Sequence, residues 1–296
     1  MRIGIDLGGT KIEGVVLNDS NETLAKIRRP TPATDYRDIL ETIASIVIDL
    51  ETEVGADCSV GVGTPGAISP HSGRLKNANT EVLNGKNLCF DLENVLARKV
   101  YLANDANCLA LSESVDGAAR GERCVFAVIV GTGTGGGLVI DRQIMTGANA
   151  IAGEWGHNPL PWQDSTEHGV RCYCGKLGCI ETFLSGAGLS RLHSQLGGPE
   201  VSAERVASLS QADQVIAAQA IEIYAGQFAR ALATVINVVD PGVVVVGGGL
   251  SKIPNLLQLV ESRLQEFVFS DHVSTQLTVA LHGDSSGVRG AAWLPP

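Results

Sequence analysis

Cys172, Cys174 and Cys179 fall within eight positions, and His157 stands 15 residues before the first of them. Three thiols and one imidazole in 23 residues, with turn glycines Gly175 and Gly178 between ligands, suit a single tetrahedral Zn²⁺. Such a four-ligand site is closed, and closed sites are structural. A metal here would fold the whole stretch from Gly153 to Glu181 and aim the two carboxylates beside it, Glu154 and Glu181. The Cys-x-Cys spacing is tighter than the common one, and a reduced metal-free loop or redox-active thiols would read the same way. Seven cysteines are an odd number, and no export signal follows Met1, so reduced thiols and a metal are favoured over disulfides. The other four, Cys58, Cys89, Cys108 and Cys124, are scattered and expected to be buried small hydrophobes. His71, His168, His193, His272 and His282 have no partners at ligand spacing and are expected at the surface.

The 296 residues suffice for two domains, and 44% hydrophobic with 18% charged residues is an ordinary globular balance. A net charge of −10 with no Lys/Arg run disfavours nucleic acid, whose phosphates need a clustered basic surface. No apolar run approaches the ~18 residues that a membrane span needs. The cytoplasm is the expected compartment.

Along the chain, residues 2–17 read as strand, glycine turn, strand. Thr31 to Val54 keeps a helical apolar spacing through Ile39, Leu40, Ile43, Ile46, Val47 and Leu50. Ser59 to Gly63 is a short strand ending in the turn Thr64-Pro65-Gly66. Val100 to Ala103 is another, followed by Asn104-Asp105 and a helix from about Cys108. Val125 to Val130, the turn Gly131 to Gly137 and a return strand at Leu138 to Ile140 repeat the pattern of residues 2–17. Tyr224, Phe228, Leu232, Val235 and Ile236 form a helical core stripe. Asp240-Pro241 ends that helix, and Val243 to Val246 is a buried strand before Gly247-Gly248-Gly249. Alternating strands and helices predict an α/β fold. The domains are expected at 1–116, a smaller one, and 117–285, a larger one, with a terminal helix over about 286–296 that could return to the first.

Several stretches carry chemistry. In Asp6-Leu7-Gly8-Gly9-Thr10-Lys11 the glycines let backbone N–H groups approach an anion, while Thr10 adds a hydroxyl and Lys11 a cation. Asp6 could hold Mg²⁺ through water. A purely structural hairpin reads equally well. A second glycine/threonine turn, Gly131-Thr132-Gly133-Thr134-Gly135-Gly136, shifts the balance toward a polyphosphate gripped from two sides. Gly247 to Gly249 would let a flat base lie on backbone, or simply allow close packing. Asp105, at a strand's C-terminal end, suits a general base toward a phosphoryl donor; as a helix cap, Asn104-Asp105 would look the same. Glu154 and His157, three apart, would share one face of a helical turn. A His157 that binds metal through one nitrogen would leave its other N–H for a ligand oxygen. Glu154, Glu181, Asn79, Asn104 and Asp105 together suit a polyol.

These motifs, Asp6 to Lys11, Asn104-Asp105-Ala106-Asn107, Gly131-Thr132-Gly133, Gly153-Glu154-x-Gly156-His157 and Cys172-x-Cys174-Gly175-x-x-Gly178-Cys179-x-Glu181, resemble in order the bacterial ROK sugar kinases. Gly153 to Trp162 and His282 to Trp293 are most similar to the fructokinases of that family; its N-acetylglucosamine kinases usually carry Phe where Trp155 stands. The resemblance implies a two-domain actin-like ATPase fold, hexokinase-like and ribonuclease H-like, with an interdomain cleft. It implies sugar binding through Gly66, Asn79, Asn104, Asp105, Glu154, His157 and Glu181, with Asp105 as base. ATP would be held by Gly4, Ile5, Asp6, Leu7, Gly8, Gly9, Thr10 and Lys11, by Gly131 to Gly136, and by Gly247, Gly248 and Gly249. Magnesium would sit on Asp6 through water, and structural zinc on His157, Cys172, Cys174 and Cys179. The expected reaction is ATP-dependent phosphorylation of a free hexose at its primary hydroxyl, fructose first, with mannose and glucose as further candidates. The alternatives are an N-acetylglucosamine or N-acetylmannosamine kinase, or a non-catalytic sugar-sensing regulator. A homodimer is expected, with no nucleic-acid or membrane partner. Loss of the metal is expected to weaken sugar binding far more than ATP binding.

Overall fold

The computed structural model describes residues 1–296 apart from Ala33, Thr166 and His168. From the N-terminus come β1 (Arg2–Leu7), β2 (Lys11–Leu17), β3 (Thr23–Pro30), α1 (Tyr36–Val54), β4 (Ser59–Thr64), β5 (Ala67–Ile68), β6 (Leu75–Lys76), α2 (Leu88–Leu96), β7 (Val100–Asn104) and α3 (Asp105–Val115). There follow β8 (Cys124–Val130), β9 (Thr134–Ile140), β10 (Gln143–Ile144), α4 (Ile180–Leu184), α5 (Gly186–Gln195), α6 (Ala203–Gln211), α7 (Val215–Val239), β11 (Val243–Gly247), α8 (Leu256–Leu264), β12 (Gln276–Val279) and α9 (Ser286–Ala292). None of the helices described is long and apolar enough to cross a membrane.

Two five-stranded sheets have the orders β3-β2-β1-β4-β7 and β10-β9-β8-β11-β12. Counted within each sheet, both orders run third, second, first, fourth, fifth. β1 pairs antiparallel with β2 and parallel with β4, which pairs parallel with β7. In the second sheet β8 and β11 are parallel, as are β11 and β12. The repeat visible in two glycine hairpins is therefore a repeat of the whole sheet topology.

Local chemistry sets most element ends. Asp35 caps α1 by accepting the N–H groups of Arg37 and Asp38, so the helix starts at Tyr36 rather than Thr31, and Gly55 ends it in a left-handed turn. α3 begins at Asp105, earlier than Cys108, because the Asn104 side chain accepts the Ala106 N–H and acts as its N-cap. Along β1 the side chains of Ile3, Ile5 and Leu7 join the core with Ile39, Ile43 and Leu50 of α1. Gly4 faces the other way: a Cβ there would run into the Val288 carbonyl of α9.

The chain divides into two compact units. One comprises Met1–Gly121, Gly137–Ala152 and Leu281–Pro296; the other comprises Glu122–Gly136 and Gly153–Ala280. Against the expected 1–116 and 117–285 with a terminal helix over about 286–296, the units differ at 117–121, 137–152 and 281–285. The first unit's tail is held by Glu113, fully buried on α3. Its carboxylate accepts the N–H groups of Leu281 (3.0 Å) and His282 (3.3 Å) and the Ser286 hydroxyl (2.8 Å). In the second unit α7 is the spine, and its stripe of Tyr224, Phe228, Leu232, Val235 and Ile236 is buried.

Two histidines expected at the surface are not there. His193 is buried, with Nδ1 3.0 Å from the Pro199 carbonyl, and half-buried His282 sits 3.0 Å from Asp116. His71 and His272 are exposed, and His168 lies outside the described residues. Of the scattered cysteines, Cys58 and Cys108 are buried while Cys89 and Cys124 are only partly so.

Candidate active site and metal centre

In the first unit, the hairpin between β1 and β2 closes through Gly8 N–H to the Lys11 carbonyl at 3.0 Å. Its tip, Gly9 and Thr10, is exposed. Gly4, Ile5 and Leu7 are not part of that tip: they are buried in the strand, and Gly4 serves the approach of α9. They support the hairpin from below. Asn79 is exposed beside Thr80, whose hydroxyl lies close to Gly9.

Asn104 and Gly66 are joined directly. Asn104 Nδ2 donates to the Gly66 carbonyl at 2.9 Å while its Oδ1 caps α3. Gly66 has φ +76°, which a side chain would strain. These two residues hold the start of α3, and Asp105 with it. Asp6 belongs to the same neighbourhood. Burial, reinforced by the charges of Asp105 and Glu13, pushes its carboxyl up to about 7, with Lys11 and Arg28 pulling the other way. Two partly buried carboxylates that repel fit a divalent cation, with Asp6 as a residue that would hold it.

In the second unit, the four metal-ligand candidates converge. Cys172 Sγ lies 3.6 Å from His157 Nδ1, and Cys174 Sγ 3.6 Å from Cys179 Sγ; all four donors are within 4.8 Å of one another. Donors around a tetrahedral zinc stand about 3.5–3.8 Å apart, so this set fits one. Burial pushes the Cys172 thiol up, and pushes Cys179 up to about 12 with help from the neighbouring Cys174. A metal would take such thiols as thiolates.

Glu154 and His157 are not on a helix. Gly153 has φ +92°, and residues 153–158 turn tightly through Trp155 N–H to the Gly153 carbonyl and Asn158 N–H to the Trp155 carbonyl. His157 points Nδ1 at the thiols, and its Nε2 meets the Tyr173 hydroxyl at 3.0 Å. Tyr173 therefore occupies the nitrogen expected to face a ligand. Its hydroxyl is pushed up to about 12 by burial and by the charges of Glu181, Cys172 and Glu154. Tyr173 is not among the residues expected from sequence at the site. Its position between Cys172 and Cys174 is the available signal, since a residue there must lie beside the candidate ligands.

The turn at Gly131 closes through Gly131 N–H to the Gly133 carbonyl at 3.0 Å. Trp155, buried between Phe126 and Phe228, donates its indole N–H to the Gly135 carbonyl at 2.9 Å. Gly156 abuts the Thr134 carbonyl where a Cβ would clash, and Glu181 Oε2 accepts the Thr134 N–H at 3.0 Å. The Gly153–His157 segment and Glu181 are thus fastened to the second hairpin. Gly136 packs on Trp155 and Gly153 rather than facing open space.

A cavity of about 440 Å³ in this unit brings Gly131 and Thr132 together with Gly249. Gly247 and Gly248 do not line it: Gly247 is buried in β11, and Gly248 packs on the Val130 carbonyl. Its other walls come from Gly186, Ala187 and Ser190 of α5 and from Ser202, Ala203 and Glu204 at the head of α6. None of these is among the residues expected from sequence. Ser185 and Ser202 cap α5 and α6, and N-capping serines mark helix starts, where backbone N–H groups favour anions.

The ROK family profile matches residues 2–296. An N-acetyl-D-glucosamine kinase from Photobacterium profundum is 37% identical over 299 residues, covering 99% of this chain and 99% of that protein. The crystal structure of a ROK hexokinase from Thermus thermophilus is similar with a TM-score of 0.86 at 30% identity, over 98% of this chain and 96% of that one. A ROK family glucokinase from Streptomyces griseus, in complex with glucose and AMPPNP, has a TM-score of 0.82 at 26% identity, over 99% of this chain and 98% of that one. This chain belongs to the ROK family and has its hexokinase-like, actin-like ATPase fold.

Proposed function

We propose that this chain is a sugar kinase that transfers the γ-phosphoryl group of ATP to the primary hydroxyl of a free sugar. The observation that carries it is Asp105, held at the head of α3 by the Asn104–Gly66 bond and sharing its surroundings with Asp6 of the phosphate hairpin. Asp105 takes the proton of the hydroxyl as its oxygen attacks the γ-phosphorus, and ADP leaves. The Gly8–Lys11 hairpin of the first unit and the Gly131–Thr134 hairpin of the second are each suited to phosphate, and the cavity at Gly249 suits the base. Magnesium, which Asp6 would hold through water, supplies charge neutralisation at the phosphates. Zinc on His157, Cys172, Cys174 and Cys179 is structural, and Glu154 and Glu181 bind sugar hydroxyls, while His157, its second nitrogen on the Tyr173 hydroxyl, serves the metal.

N-acetyl-D-glucosamine is the sugar best supported. Relatives of that name are 37% and 38% identical over almost the whole chain. D-Fructose is the second reading, supported by Trp155 and by the resemblance of the two flanking motifs to fructokinases. A coupled ATP assay with N-acetylglucosamine, N-acetylmannosamine, fructose, mannose and glucose tests both. The highest kcat/KM with N-acetylglucosamine is expected. A clear preference for fructose would establish the second reading, and no ADP with any sugar would leave a non-catalytic sugar-sensing protein.

A further inference from the structure

We infer that Glu181 serves the nucleotide as well as the sugar, its carboxylate positioning the hairpin at Gly131 to Thr134 through the Thr134 N–H. The inference rests on the kinase reading above. Glu181 Oε2 accepts that N–H at 3.0 Å. It is packed so closely that a Cβ added to Gly133 would lie 2.6 Å from the same oxygen.

The carboxylate is itself well anchored. Glu181 opens α4 two residues after the ligand Cys179, and its own N–H donates to the Gly156 carbonyl at 2.9 Å. Gly156 in turn abuts the Thr134 carbonyl, so one anchored segment meets Thr134 at both its N–H and its carbonyl. On the other flank, Gly186 N–H donates to the Gly131 carbonyl at 2.7 Å.

Thr134 is 4% exposed, so its N–H has little access to water once the carboxylate is gone. A buried donor without an acceptor is costly, and the glycine-rich turn has no side chains to hold its shape. A carboxylate beside an anion-binding turn would otherwise only repel phosphate. Its presence is explained if it fixes the turn in the conformation that phosphate needs. Glu181 is in this sense a positioning residue for the nucleotide.

Titration calorimetry with AMPPNP and Mg²⁺, without sugar, tests this on wild type, E181Q and E181A, with sugar KM measured in parallel. E181A should weaken AMPPNP roughly tenfold to a hundredfold, the scale of one hydrogen bond to a charged group. E181Q keeps an oxygen for the Thr134 N–H and should bind AMPPNP close to wild type, while both variants raise the sugar KM. G133A should weaken AMPPNP when the Glu181 carboxylate is present and cost clearly less in E181A, a non-additive pair. Unchanged or tighter AMPPNP binding in E181A overturns the inference. If E181A does not fold, unimpaired AMPPNP binding by G133A overturns it instead. Wild type that binds no AMPPNP overturns the kinase reading and this inference together.

Discussion

Glu181 Oε2 and the backbone N–H of Thr134 are 3.0 Å apart, although 47 positions separate them in the chain. The bond ties the metal stretch to the second glycine hairpin. It changes what loss of the metal should do. From the sequence, sugar binding is expected to suffer far more than ATP binding, because Glu154, His157 and Glu181 belong to the same stretch as the candidate ligands. With Glu181 and Gly156 both against Thr134, a loosened metal loop also loosens the hairpin.

Chelation of the metal, or Cys179→Ser, should therefore lower the melting temperature and weaken both sugar and AMPPNP binding. Metal binding of about 10 kcal/mol is folding free energy for such a loop. Metal content, melting curves and the two affinities check this. A loss far larger for sugar than for AMPPNP would instead fit the expectation from sequence.

Asp105→Asn keeps the shape at the head of α3 and removes the base. It should lower kcat by roughly 10²–10⁴-fold, the usual share of general-base catalysis, and leave the melting temperature nearly unchanged. Turnover near wild type would remove Asp105 from the role.

Asp6→Asn should stabilise the ligand-free protein and impair catalysis. Burial, then the charges of Asp105 and Glu13, raise the Asp6 carboxyl from 3.8 to about 7. A raised value means that its contribution to stability is fully present below the unfolded value and is lost as pH rises through about 7. The gain in melting temperature from Asp6→Asn should be largest near pH 8 and shrink toward pH 4. Equal melting of the two proteins at pH 8 would contradict this.

Glu13 gives the opposite dependence. Burial pushes its carboxyl up, but the hydrogen bonds from Lys26 and Arg28 more than offset this and hold it below its ordinary 4.5. The carboxylate is 1% exposed, with Lys26 2.7 Å away. A lowered value contributes stability that is present above the unfolded value and lost as pH falls through the folded one. Glu13→Gln should cost about 2 kcal/mol at pH 7, read by urea unfolding, and the difference should fade below pH 4. A difference that grows on acidification would rule this out.

Much of the fold was legible in the chain. Val125 to Val130 and Val243 to Val246 read as strands because β-branched apolar runs suit little else, and both are strands. The four-donor cluster was legible because donor chemistry and short spacing are local properties. Tyr173 on His157 Nε2 was not, because the direction in which a loop side chain turns depends on what surrounds it. The start of α3 was misplaced because Asn104 could cap a helix or face a ligand, and only its bonds to Ala106 and Gly66 show that it caps.

The sequence by itself determined the alternation of elements, the glycine turns and the four-donor cluster, since each depends on neighbours a few positions away. The tertiary structure alone decided that both sheets share one strand order, and that Glu113 binds the chain 168 positions later at Leu281. It alone brought Glu181 to Thr134. Those outcomes depend on which buried polar groups must find partners once the apolar faces have packed, and spacing along the chain carries no record of that choice.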